Sequence, residues 1–232
     1  MVSYQDKHVM VVGAAGGIGS VLCKKLLEMG AKLSICGKSQ EKIQNLAEEL
    51  GNSNVFACAV DVTNEENVAQ FYEKAYAKYG EMHALVNLAG LSIPAKIPET
   101  EENAYMQMMD VNVKGTFLTC KYFPKCAAKP AIIVNIGSMA ARTANPNAPL
   151  YCTAKAAVNM LSKGLLLQVG SEDIRVTTVN PGGVDTPFWG DRKVDKSKLM
   201  QAEEVVDVLL FVLTSNPSIQ IHSIDFESKA RF

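Results

Sequence analysis

The stretch His8-Val9-Met10-Val11-Val12-Gly13-Ala14-Ala15-Gly16-Gly17-Ile18-Gly19-Ser20-Val21-Leu22-Cys23 decides the fold. Four apolar, largely β-branched positions follow His8 and run into a cluster of glycines, and a segment of helical composition follows at once. Gly13, Gly17 and Gly19 let the chain turn tightly, let backbone N–H groups approach a bound anion, and let the helix lie close to the strand. The helix N-terminus adds partial positive charge. A glycine cluster alone is a weak signal, but at a strand-to-helix junction it reads as a phosphate cradle in preference to a flexible turn.

Outward from that turn, short apolar runs alternate with longer segments whose apolar residues fall three and four apart. Strands are predicted at 8–12, 32–36, 54–60, 83–88, 131–136, 174–179 and 218–222, and helices at 17–29, 40–50, 65–79, 101–127, 150–170 and 201–214. The alternation predicts an α/β fold, a Rossmann-like doubly wound sheet of seven mainly parallel strands flanked by helices on both faces. In 101–127, Tyr105, Met108, Met109, Val113, Phe117 and Leu118 form a broad apolar stripe, which suits a core or a subunit contact equally well. No repeat or linker divides the chain, so residues 1–232 are expected to form one domain, with a short substrate lid at about 183–200.

Composition narrows the function classes. The 23 Lys and Arg against 24 Asp and Glu give a net charge of -1, which makes no electrostatic case for nucleic acid or an anionic membrane as partner. Without a run of eighteen apolar residues or a basic-then-apolar leader, the protein is expected in the cytoplasm. Six cysteines, at 23, 36, 58, 120, 126 and 152, include no C-x-x-C pair and no zinc-like spacing with histidine, so no metal is expected. His8, His83 and His222 sit in or beside predicted strands and read as packing residues.

The glycine spacing is Gly-x-x-x-Gly-x-Gly, and with further motifs it resembles the short-chain dehydrogenase/reductase family over almost the whole chain. Beyond Gly13, Gly17 and Gly19, the family pattern recurs as Asp61-Val62, Asn87-Leu88-Ala89-Gly90, Asn112 within Val111-Asn112-Val113-Lys114-Gly115, Ser138, Tyr151-Cys152-Thr153-Ala154-Lys155 and Asn180-Pro181-Gly182. The resemblance implies a nicotinamide cofactor touching Gly13, Ala15, Gly16, Gly17, Ile18, Gly19, Lys38, Asp61, Val62, Asn87, Ala89, Gly90, Tyr151, Lys155, Pro181, Gly182, Val184 and Thr186. It implies Asp61 and Val62 beside the adenine, and a homotetramer or homodimer. Val12, Leu88 and the short segment after Gly182 depart from the family pattern.

Cofactor choice turns on the end of the second strand. An acidic side chain there would accept hydrogen bonds from a ribose 2'-hydroxyl, whereas a cation would attract a 2'-phosphate. This chain has Gly37 and Lys38, so NADP(H) is preferred and NAD(H) is possible.

Tyr151 and Lys155 stand four apart, on one face of a predicted helix, separated by roughly 6 Å of rise. A phenol with an ordinary pKa near 10 is a poor base at neutral pH, and a neighbouring ammonium is expected to lower that value. Ser138, at the carboxyl end of a strand, is placed to hydrogen-bond a reacting oxygen. By resemblance, Asn112 holds a water linking Lys155 to solvent. The expected chemistry is NADP(H)-dependent interconversion of a ketone or aldehyde with its alcohol by hydride transfer, Tyr151 acting as general acid/base. The alternatives are a 3-oxoacyl-thioester reductase, whose acyl carrier would need a basic patch such as Arg142, Arg192 and Lys193, and a nucleotide-binding regulator without turnover.

Overall fold

In the computed structural model, which describes residues 2–51 and 53–232, seven strands form one parallel sheet. They are β1 (His8–Val12), β2 (Lys32–Gly37), β3 (Val55–Ala59), β4 (Met82–Asn87), β5 (Ala127–Ile136), β6 (Ile174–Pro181) and β7 (Ser223–Phe226), in the order β3-β2-β1-β4-β5-β6-β7. Every residue of β1 is buried, because helices cover both sheet faces and leave no solvated side to alternate with. On one face α1 (Gly17–Glu28), α2 (Gln40–Leu50) and α7 (Ala202–Thr214) present Leu22, Leu26, Ile43, Leu46, Val205 and Leu209. The other face is covered by α3 (Glu65–Tyr79), α5 (Gly115–Tyr122) and α6 (Pro149–Val169), through Phe71, Tyr72, Leu118 and Val169. A fully buried side chain of this size contributes about 1.5–3 kcal/mol, so the two apolar layers dominate cohesion.

Local signals set the helix ends. The Ser39 side chain accepts the Lys42 N–H at the start of α2, and Asn64 accepts the Asn67 N–H at the start of α3. Because β1 lies between β2 and β4, successive connections leave it in opposite directions and a crevice opens at the carboxyl ends of β1 and β4. In register, Val12 pairs with both Cys36 and Asn87, and Asn87 with Asn135, so the strand ends align along that crevice.

Two expectations are corrected. The last strand is Ser223–Phe226, not 218–222: Ser218 is tied into a turn on Asn216, while the carbonyls of Ile219, Ile221 and His222 accept side-chain bonds from Arg175, Thr177 and Thr178. The ladder therefore begins at Ser223, five residues after the expected start, with Ser223 paired to Thr178. The long helix at 101–127 is broken into α4 (Glu102–Met109), a π segment (Asp110–Lys114) and α5, followed by a 3₁₀ turn at Phe123–Lys125 that carries Pro124. Residues from Ala127 onward belong to β5, which pairs with β4 from Met82.

His8 is buried with both ring nitrogens occupied: Nε2 lies 2.8 Å from Ser34 Oγ and Nδ1 3.0 Å from the Gly80 carbonyl. A carbonyl only accepts, so Nδ1 carries the hydrogen and the neutral ring is satisfied. Burial pushes its pKa down from 6.5 to about 4. Between those values the unfolded chain binds more protons, so stability should fall as pH drops from 6.5 towards 4, by up to about 3 kcal/mol. Urea unfolding across that window should show the slope in the wild type and a smaller one in His8→Val.

Candidate active site

The carboxyl ends of β1, β4, β5 and β6, with the loops that follow them, enclose a cavity of about 1470 Å³. At one end is the glycine turn. Gly13 has φ 79°, and a Cβ there would stand 2.6 Å from the Ala89 backbone nitrogen, so a side chain would push β1 and β4 apart. A Cβ on Gly19 would stand 2.6 Å from the carbonyl oxygens of Gly13 and Ala14. The N-terminus of α1 has no side-chain cap and no acidic residue in its first turn. Its free N–H groups and dipole therefore face the cavity without an internal anion, which suits a pyrophosphate.

Every residue expected to touch the cofactor lines this cavity except Asn87. Asn87 is buried inside the sheet, where its side-chain amide donates to Asn135 Oδ1 at 2.8 Å. That bond ties β4 to β5 and draws the amide away from the crevice. Lys38 and Asp61 do line the cavity, but they form an ion pair at 2.8 Å. Lys38 holds the Asp61 carboxyl down to about 2, aided by Thr63, whose backbone N–H and hydroxyl donate to Asp61 Oδ1 at 3.0 and 2.7 Å. Asp61 thus closes a turn as well as bordering the cavity. Ser39 and Lys42, unremarked in the sequence, line the same end; their place at the start of α2, just after Lys38, was the available signal.

At the other end, Ser138, Tyr151 and Lys155 come together. Tyr151 and Lys155 lie on adjacent turns of α6, with the Lys155 Nζ 5.8 Å from the Tyr151 ring centre. The ammonium is buried and donates to the Ile136 carbonyl at 3.0 Å, and burial lowers its pKa to about 8. Burial pushes the Tyr151 phenol up to about 12, against weaker downward pulls from the Ser138 hydroxyl and the Arg192 charge. Burial is the main cause of that rise, and the Lys155 ammonium lies against the Tyr151 ring while its hydrogen bond is directed at β5.

Ser138 is fixed by a network that the sequence did not disclose. Its backbone N–H donates to Asn180 Oδ1 at 3.1 Å, and Asn159 donates to the same oxygen at 2.9 Å. The Asn180 amide donates to Asp225 Oδ1 at 2.7 Å, and Asp225 takes a two-pronged contact from Arg142 at 2.8 and 3.0 Å. Arg142 is thus neutralised from β7 and is not available for an acidic carrier, which removes one of the three cations that reading needs. A lone aspartate in a short edge strand carried no sequence signal.

Asn112 is buried in the π segment, away from the cavity wall. Its amide donates to the carbonyls of Leu91 and Met108 at 2.7 and 2.8 Å, so the side chain occupies the widened turn and ties it to the loop after β4. Gly90 stands between it and Lys155: a Cβ there would lie 3.2 Å from Asn112 Oδ1 and 3.4 Å from Lys155 Nζ. Over the mouth, the single turn Pro187–Trp189 places Phe188 5.9 Å from the Tyr151 ring, and the Trp189 indole N–H donates to the Val184 carbonyl at 2.7 Å.

Among the described residues no group of three His, Cys, Asp or Glu could hold a metal ion, and no helix is long and apolar enough to cross a membrane.

The short chain dehydrogenase family model matches residues 7–197. An uncharacterized oxidoreductase of Staphylococcus saprophyticus is 30% identical over 97% of this chain and 98% of its own length. One of Staphylococcus aureus strain USA300 is 30% identical over 94% and 96%. Among solved structures, a short-chain type dehydrogenase/reductase from Mycobacterium ulcerans superposes with TM-score 0.88 at 24% identity, covering 97% of this chain and 90% of that one. An alcohol dehydrogenase from Thermococcus sibiricus, complexed with 5-hydroxy-NADP, superposes with TM-score 0.86 at 24% identity, covering 97% of each. Sequence and architecture agree: this chain is an oxidoreductase that belongs to the short-chain dehydrogenase/reductase family.

Proposed function

We propose that the protein is an NADP(H)-dependent reductase of ketones or aldehydes, working as one functional unit with the segment at about 183–200 as its lid. The observation that carries this reading is that Tyr151, Ser138 and Lys155 meet at one end of a cavity whose other end is the glycine turn under an uncapped helix terminus. The residues present fit the cofactor: the glycine turn leaves space where side chains would stand, and Lys38, Ser39 and Lys42 line the same end. When bound, NADP(H) supplies or accepts the hydride.

The chain's own groups handle the proton. With its pKa raised to about 12, the Tyr151 hydroxyl keeps its hydrogen at neutral pH and is a donor to a carbonyl oxygen brought within hydrogen-bond reach. The Ser138 hydroxyl orients that oxygen. The Lys155 ammonium, charged below about pH 8, stabilises negative charge that grows on the phenol oxygen as the proton leaves. Phe188 and Trp189 shield the reacting end from water. The Asn112 side chain shapes the wall behind Gly90, and its contacts favour a structural part in the site.

The same reading takes the protein as a cytoplasmic homotetramer or homodimer. Tyr105, Met106 and Phe117 on α4 and α5, with Met160 and Leu167 on α6, are exposed apolar side chains that support a subunit contact.

Lys38 tests the cofactor preference. Its replacement by Asp removes one cation–phosphate contact, worth about 1.5–3 kcal/mol, and sets a second acid beside Asp61. NADPH affinity, measured by calorimetric titration, should fall roughly 10- to 150-fold with NADH affinity little changed. Unchanged NADPH binding would remove Lys38 from the reading. Turnover of a panel of ketones and aldehydes with each cofactor tests the reaction itself.

A further inference from the structure

The cations around the cavity differ in what faces them. Lys38 is paired with Asp61, Lys155 donates to the Ile136 carbonyl, and nearby Arg142 is paired with Asp225. Arg192 and Lys193 line the lid end, and among the described residues no carboxylate lies within ion-pair distance of either. Arg192 is nevertheless held in place. Its Nε donates to the Trp189 carbonyl at 2.7 Å and one Nη to the Phe188 carbonyl. The guanidinium lies 5.3 Å from the Phe188 ring centre and 5.0 Å from that of Trp189.

Aromatic faces and backbone carbonyls orient a guanidinium without cancelling its charge. The Phe188 ring that carries it also lies against Tyr151, so a fixed positive charge stands one ring away from the phenol. No described protein group accepts from Nη1, which leaves part of the planar fork for a ligand. That fork matches a carboxylate better than a single point charge would.

We infer that the substrate is a carbonyl compound bearing a carboxylate, an oxo acid, and that Arg192 receives the carboxylate while Tyr151 and Ser138 receive the carbonyl oxygen. This rests on the reductase reading above and narrows its substrate class. Lys193, exposed beside it, adds attraction without a fixed geometry.

The test uses the full chain with NADPH and three matched pairs: pyruvate, acetoacetate and levulinate, each beside its methyl ester. The wild type should prefer the acid of at least one pair by tenfold or more in kcat/KM. Arg192→Met should bring that ratio close to one, and Arg192→Lys, which keeps charge but not the fork, should retain part of it. Circular dichroism identifies a variant that has not folded, in which case Arg192→Lys and the wild-type ratio decide. The chain has one tryptophan, Trp189, so its emission reports binding of the same acids without cofactor. A saturable change is expected in the wild type and in Tyr151→Phe, weakened about tenfold or more in Arg192→Met.

Equal or better turnover of the esters by the wild type, or an acid preference that survives in Arg192→Met, overturns the inference and leaves the reductase reading intact. Acids that perturb Trp189 emission but are never reduced, together with neutral carbonyls that are never reduced, would overturn the reductase reading and leave the carboxylate site standing.

Discussion

Tyr151→Phe should lower the rate of carbonyl reduction by about 10²–10⁴-fold, the range typical of losing a positioned general acid. The substitution removes one oxygen and keeps the ring, so the contact with Phe188 at 5.9 Å survives and the lid keeps its support. It removes one hydroxyl and leaves the packing volume of the ring, so the melting temperature should move by only a few degrees. Steady-state rates of the two proteins with NADPH and the same ketone separate chemistry from folding. Equal rates would mean that the proton comes from elsewhere.

Lys155→Met should do two things at once: abolish turnover and stabilise the protein at neutral pH. Lys155 is 3% exposed, and its ammonium meets one carbonyl, that of Ile136. Burial lowers its pKa from 10.5 to about 8. Between these values the unfolded chain binds more protons than the folded one, so wild-type stability rises with pH from about 8 to 10.5. Below that window, keeping the ammonium charged and buried costs about 3 kcal/mol. Methionine fills a similar volume without charge and leaves the Ile136 carbonyl without its donor, a loss of about 1 kcal/mol. A net gain of about 1–2 kcal/mol at pH 7 is expected, shrinking above pH 8 and turning into a loss of about 1 kcal/mol above 10.5. Urea unfolding at pH 7 and pH 10 measures it, and a variant less stable than wild type at pH 7 would show that the lysine is not strained by its burial. A gain would mark Lys155 as held for function at the expense of stability.

The sheet was legible because its strands lie between two helical layers and therefore read as unbroken apolar runs ending at turn residues. The glycine turn was legible because a Cβ has no room there. What escaped was set by side chains acting over long sequence distances. The helix at 101–127 kept its apolar period through Asn112, and only the amide bonds to Leu91 and Met108 show why the turn widens. Ile219 and Ile221 made 218–222 read as the final strand, but Arg175 and Thr177 of β6 engage their carbonyls, and the ladder starts at Ser223. At the site, sequence spacing put Tyr151 and Lys155 on one face but could not say where the ammonium points. Nor could it show that Lys38 meets Asp61, or that Arg142 is matched by Asp225 while Arg192 is not. Residue types fix which charges are present; their pairing is a property of the folded chain.

Isotope transfer reads hydride delivery and its dependence on Tyr151 together. NADPH carrying deuterium on the transferable position of its nicotinamide ring is incubated with the oxo acids and their esters, and the alcohol products are weighed by mass spectrometry. One deuterium on the carbinol carbon of the wild-type product, with almost no such product from Tyr151→Phe in the same time, is the predicted result. Alcohol formed without the label, or labelled product formed equally fast by Tyr151→Phe, would contradict it.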